Sequence, residues 1–304
     1  MALAAASGKR VRLTPKFVPG ETFRYRIESR TTTTGKTTTP IANPEGGSKS
    51  SQTIHLLVRL DVLDVPPSGA GQGATRLRAT YEKSSAESET DALDPAAPSI
   101  ADQYARIEGH SIEFTVKPDG QFTDVKGLDE ISPDRSAAQP AVSWLSGLFP
   151  GSAFPLDGVA IGQQWKSERP FDGMPLTGLV WRTESSYLRD EPCNPSGSAT
   201  REGGSGDACA VILIRSEIPR RGSPNSDATP EDYLRNGLRT SGTWTGSGES
   251  LDSISLSSGL LVSSTQTSAQ QMDYKIASAS TGSSIHQQGQ VQTQSEITLV
   301  PNQM

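Results

Sequence analysis

Hydrophobic and polar side chains alternate with a period of two along most of this chain. From Thr22 to Glu28, Phe23, Tyr25 and Ile27 fall on one side and Arg24, Arg26 and Glu28 on the other, the pattern of a strand with one wet face. His55 to Leu63 repeats it with Leu56, Val58, Leu60 and Val62. Arg76 to Glu82 does the same with Leu77, Ala79 and Tyr81, beyond a turn at Pro66-Pro67, so these two stretches read as an antiparallel hairpin. Ile112, Phe114 and Val116 alternate next. Asp119-Gly120 then supplies the pair that most readily takes φ > 0 in a tight turn, before Phe122 and Val125 resume the pattern.

The middle of the chain differs. Between Asp134 and Gly151, Trp144, Leu145, Leu148 and Phe149 are spaced for one short helix, with Asp134 or Ser136 as its cap and Pro150-Gly151 as its stop. After Gly162 the strand pattern returns in seven stretches: 178–188, 208–218, 240–249, 252–256, 259–265, 271–276 and 290–300. A Pro- and Asn-rich loop fills 219–238, with one helical turn expected at Pro230 to Arg235.

This pattern predicts a mainly β fold, a large curved antiparallel sheet with a short connector helix. Residues 1–15 are expected to be a flexible N-terminus, 16–132 a first β-meander, 133–152 the connector and 153–300 a second β-meander. One continuous domain and two domains both fit 304 residues. An internal echo suggests a duplicated meander. Gly20 to Phe23 opens the first series and Gly162 to Trp165 the second, and each leads to a late Gly-centred turn, at Gly120 and Gly259.

Composition narrows the classes. Hydrophobic residues make up 33% and aromatics 6%, while Gly, Pro, Ser and Thr are abundant, which favours strands and long loops over helical bundles. The net charge is −6, and Lys and Arg are spread rather than clustered, so nucleic acid is not an expected partner. No stretch approaches the roughly 20 apolar residues of a membrane-spanning helix. The start, Met1 to Arg10, has the small residues and trailing charge of the end of a secretory signal. The two cysteines, Cys193 and Cys209, bracket a Gly-, Ser- and charge-rich loop that cannot fold by burial. A disulfide closing it would stabilise the fold by roughly 3 kcal/mol on the loop-closure model. That bond implies an oxidising compartment, periplasmic or extracellular.

The stretches Pro19–Glu28, Lys117–Leu128, Gly162–Trp165 and Ser255–Thr265 resemble a family of secreted bacterial proteins of unknown function. Their architecture is similar to the curved half-barrel of lipoprotein carriers. The resemblance implies a sheet wrapped over an apolar cavity and a role in carrying lipid or lipoprotein acyl chains. The chain departs from the family's pattern in the Cys193–Cys209 loop and in the Pro-rich insertion after Ile218.

Catalytic chemistry is sparse. No Gly-x-Ser-x-Gly turn occurs, and the Gly-rich stretches lack the context of a phosphate cradle. His55, His110 and His286 lie in separate strands or strand edges, without metal-ligand spacing, and no metal or cofactor is expected. Asp61, Asp64, Glu113 and Asp124 fall near strands, but a glycosidase pair is defined by distance in space. The candidate site is instead an aromatic face: Phe23, Tyr25, Tyr81, Phe114, Trp165, Trp181 and Trp244 share one side of the sheet if the alternation holds. That face is either core under the connector helix or the lining of an apolar ligand cavity. The first reading of function is therefore a non-catalytic envelope protein that binds an apolar ligand. The alternative is a structural or protein-interaction module of the bacterial envelope, and an enzyme is not expected.

Overall fold

A computed structural model describes residues 9–38, 47–65, 73–91, 99–118, 120–131, 140–149, 154–170, 175–193, 207–219 and 227–301. Eleven strands form one antiparallel sheet. The first five are β1 (Thr22–Thr38), β2 (Ser48–Asp64), β3 (Thr75–Thr90), β4 (Ser111–Val116) and β5 (Phe122–Lys126). The other six are β6 (Gln164–Pro170), β7 (Val180–Pro192), β8 (Ala208–Ile218), β9 (Leu238–Ser255), β10 (Leu261–Ser278) and β11 (Ser284–Val300). Their order in the sheet is β5-β4-β3-β2-β1-β11-β10-β9-β8-β7-β6. Each half is thus a meander, and the two halves join where β1 pairs with β11, Tyr25 opposite Leu299 and Ile27 opposite Ile297. The sheet is open, with β5 and β6 as its edges.

The strands at the centre are longer than the alternation suggested. The stretches 240–249 and 252–256 are one strand, because Ser250 and Leu251 continue the ladder opposite Gln266 and Thr265. Likewise 259–265 and 271–276 merge into β10. Polar residues in the middle of these strands conceal their continuity from a hydrophobic pattern; main-chain pairing with both neighbours supplies it. The expected hairpin at Gly120 is present, with Lys117 N–H donating to the Gln121 carbonyl at 2.7 Å and Gly120 at φ +81°. Asp119 lies outside the described residues.

The helices are short: α1 (Ile100–Ile107), α2 (Leu128–Ile131), α3 (Pro140–Ser143), α4 (Leu145–Leu148) and α5 (Glu231–Arg235). In the connector region the single expected helix is replaced by α3 and α4. They meet at Trp144, whose near-helical backbone (φ −88°, ψ −15°) preserves the expected spacing. Ala141, Leu145, Leu148 and Phe149 are buried against the sheet, and this docking holds the two turns without a longer helix. The proposed caps Asp134 and Ser136 and the stop at Pro150-Gly151 lie outside the described residues. Helix α1 was not legible as a helix in the alternation. Ser99 caps it, its Oγ accepting from the Asp102 N–H at 3.0 Å, and Tyr104 and Ile107 bury its apolar side. The turn expected at 230–235 is α5. Among the described residues no helix is long and apolar enough to cross a membrane.

Apolar side chains gather in three clusters on one face of the sheet. The largest joins Tyr25, Val58, Leu77, Tyr81 and Phe114 to residues of α1, α3 and α4. The second holds Leu13, Phe154, Tyr187, Ile212 and Ile254, and the third Leu176, Ile218, Trp244 and Tyr274. Residues 9–15, within the segment expected to be a flexible N-terminus, are anchored. Val11 and Val159 exchange both main-chain hydrogen bonds at 2.8 Å, and Leu13 is buried in the second cluster.

Candidate functional site

Strand register places all seven candidate aromatic residues on the same face. Phe23 and Tyr25 on β1 stand beside Leu60 and Val58 of β2, Val58 beside Tyr81, and Leu77 beside Phe114. In the other half Trp165 is opposite Ser185, and Trp181 and Trp244 have the same orientation on β7 and β9. The structure does not bring the seven together around one space; they are divided among the three clusters. Tyr25, Tyr81 and Phe114 are at most 1% exposed. Phe114 lies 6.0 Å from Phe149 between ring centres, Tyr81 meets Trp144 edge-on at 5.6 Å, and the Tyr81 hydroxyl donates to the Ala141 carbonyl. Phe23 is 6.5 Å from Phe17, Trp165 packs on Phe154 at 5.7 Å, and Trp181 is partly buried against the third cluster. Trp244 stacks on Tyr274 at 5.9 Å and donates from its indole N–H to Gln270 Oε1 at 3.0 Å. Helices and loops of the chain itself therefore occupy the space over these side chains.

Open space lies on the opposite, polar face. Three adjoining troughs of about 740, 480 and 880 Å³ run across it. Thr53 and His55 line the second without Ile54 between them, and Thr243 and Thr245 line the third without Trp244. Since neighbouring side chains on a strand point to opposite faces, both troughs open away from the aromatic residues. The first shares Glu249, Thr267 and Gln294 with the second, so it lies on the same face. One trough lined by six neighbouring strands requires a concave surface, because six strands at about 4.8 Å spacing span roughly 24 Å. A twisted sheet is saddle-shaped, so each face is hollow along one diagonal. Here the core fills one hollow and the polar gutter is the other.

Glycines permit one close backbone approach between β1 and β11. Gly35 on β1 faces Gly289 on β11, and a Cβ on Gly289 would lie 2.7 Å from the Thr34 carbonyl oxygen. A Cβ on Gly35 would lie 2.9 Å from that of Gln288. The two backbones approach closely only because neither carries a side chain.

Two register rows form the walls of the first trough. One runs Lys166, Glu184, Arg215, Glu249, Thr267, Gln294, and the other Glu168, Arg182, Glu217, Ser247, Ala269, Gln292. Charges alternate in sign from β6 to β9. Arg215 pairs with Glu249 at 2.9 Å, Arg182 with Glu168 at 2.9 Å and Lys166 with Glu184 at 3.9 Å. At β10 and β11 the floor of the first trough turns neutral, with Gln292 and Gln294 exposed beside Ala269 and Thr267, and Gln290 continues the series beside Thr34; the second and third troughs add both signs of charge, Glu28, Arg30 and Glu296 in one and Lys36, Lys49 and Asp273 in the other. The glutamine series is visible in the alternation of β11, but it matches no catalytic or metal-ligand motif.

The remaining candidates are dispersed. Glu113 accepts from both Arg76 and Arg78 at 2.7 Å, and these guanidinium hydrogen bonds, Arg78 first, hold its carboxyl below the ordinary range. Asp61 is engaged by Thr22 and Arg59, Asp64 is exposed at the end of the same strand and Asp124 is exposed on β5, so the four carboxylates do not form a facing pair. His286 contacts Asp273 at 2.7 Å, a hydrogen bond that with Gln288 lowers the pKa of Asp273. His110 lies against the Glu108 carbonyl, and His55 borders the second trough. Among the described residues no group of three or more His, Cys, Asp or Glu is placed to hold a metal ion. One carboxyl not singled out from sequence is buried: Asp252 accepts from the Ser264 hydroxyl at 2.7 Å, and burial pushes its pKa up to about 6. Cys193 and Cys209 form a disulfide with Cα atoms 5.0 Å apart, joining the end of β7 to the start of β8. Its loop, 194–206, lies outside the described residues.

No protein-family model matches this chain, and no curated protein matches it.

Proposed function

We propose that this chain is an exported, non-catalytic binding module of the bacterial cell envelope that holds its partner in the polar gutter. The observation that carries the reading is the location of open space: the gutter is open, while the aromatic face is covered by the chain's own helices and loops. Hydroxyl, carboxamide and charged groups line it, suited to binding by many hydrogen bonds rather than by desolvation of a greasy surface. The disulfide supports export, because such bonds persist in oxidising compartments.

An apolar-ligand carrier, the role implied by the resemblance to lipoprotein-carrier half-barrels, is the second reading. The open edges β5 and β6 favour it, because a sheet that does not close can part from the elements packed on it. In that case α3 and α4 lift from Tyr81 and Phe114 to admit an acyl chain.

Native mass spectrometry of protein exported by a bacterial host, with sedimentation on isolated envelope fractions, separates the two. The gutter reading expects no lipid-sized adduct and envelope binding weakened at least tenfold by Gln290→Arg with Gln292→Arg. A lipid-sized adduct that survives those substitutions overturns it in favour of the carrier.

A further inference from the structure

From the chemistry of the gutter floor we infer that its ligand is an extended, uncharged polysaccharide chain. The inference rests on the gutter being the binding face. On β11, Gln288, Gln290, Gln292 and Gln294 project in series from the polar face, and all four are exposed. Alternate residues on a strand share a face, so the series and Glu296 beyond it span roughly 27 Å along the gutter. Thr34 stands beside Gln290 and Thr267 beside Gln294. Each carboxamide both donates and accepts, as does each hydroxyl. A sugar hydroxyl is the complementary group, since it too donates and accepts and repeats along a chain.

Other occupants fit less well. An extended peptide binds a sheet by pairing with a free strand edge. The gutter floor is the face of central strands, whose main-chain groups already pair on both sides. An acyl chain would offer no hydrogen-bond partner to these carboxamides and hydroxyls. A polyanion would meet more carboxylates than cations among the described residues of the first trough, where Glu168, Glu184 and Glu249 already pair with Arg182, Lys166 and Arg215. Among the described residues no Phe, Tyr or Trp lines any of the three troughs, so no single stacking contact among them supplies the affinity. Affinity comes from repetition and rises with chain length.

The test is calorimetric titration of the whole disulfide-bonded chain with cellohexaose, maltohexaose, laminarihexaose and chitohexaose and with their disaccharides. Polyglutamate and palmitate serve as comparators. Binding of at least one hexasaccharide is expected, at least tenfold tighter than its disaccharide. Gln290→Ala with Gln292→Ala should weaken it at least tenfold with an unchanged melting temperature. Gln52→Ala should leave it unaltered, because Gln52 lies opposite Thr31 on the other face. Gutter-dependent binding of polyglutamate or palmitate without any hexasaccharide overturns the polysaccharide but leaves the gutter as the site. Hexasaccharide binding that survives both glutamine changes overturns the assignment of the sugar to the gutter. Failure of all four hexasaccharides to bind overturns the polysaccharide, and the envelope sedimentation then decides the gutter independently.

Discussion

Asp252 is the buried residue whose ionisation bears most directly on stability. The residue is 6% exposed and its pKa is pushed up to about 6 from 3.8 by burial, only partly countered by the Ser264 and Ser250 hydrogen bonds. An acid whose pKa is higher folded than unfolded binds more protons in the folded state. It therefore costs stability as pH rises from about 4 through about 6, by an amount on the order of 3 kcal/mol. Asp252→Asn keeps a hydrogen-bonding group at the site and removes the charge. Thermal melts should show the variant matching the parent near pH 4 and more stable above pH 7; the same difference at both pH values would refute an ionised Asp252 as the cause. At Gly289 the physics is steric. Gly289→Ala puts a methyl group against the Thr34 carbonyl, and a loss of roughly 1 to 3 kcal/mol is expected in urea unfolding. Alternation gave no hint of either residue's burden, since one looks like an ordinary polar position and the other like a weak strand former.

Among the elements, the β7–β8 hairpin depends on a covalent tie. Cys193→Ser with Cys209→Ser should lower unfolding stability by roughly 3 kcal/mol in oxidising buffer and make no difference when the parent is reduced. Urea unfolding with and without dithiothreitol checks this; a loss that persists under reduction would trace to packing around buried Cys209 instead. The tie could be read from sequence because a polar loop between the only two cysteines has no other obvious reason for cohesion. Helix α1 was missed for the opposite reason: eight residues with two buried side chains are too short for periodicity, and only Ser99 and Asp102 mark its start. The two halves do share a local device. Gly20 and Gly162, at φ +83° and +81°, each end a turn closed by a main-chain hydrogen bond, from Glu21 to Val18 and from Gln163 to Ala160, just before β1 and β6. That positive φ accounts for the Gly at the two echoing positions.

For the whole molecule, the packed face and the open face make separable predictions. Phe149 contacts Phe17 and Phe114, so Phe149→Ala should cost about 3 to 5 kcal/mol in chemical unfolding, whereas exposed gutter glutamines should change to Ala within about 0.5 kcal/mol. If Phe149→Ala were nearly neutral, the helical cover would be loosely held and the carrier reading strengthened. By itself the sequence determined the strand pattern, the shared aromatic face and the cysteine tie, because each follows from local alternation or from loop-closure entropy. Only the tertiary structure decided that β1 pairs with β11 to unite two meanders in one open sheet, and which hollow of that sheet is filled. Those outcomes depend on pairings between residues 248 to 276 positions apart and on the sense of the sheet's curvature, neither of which a period-two pattern encodes.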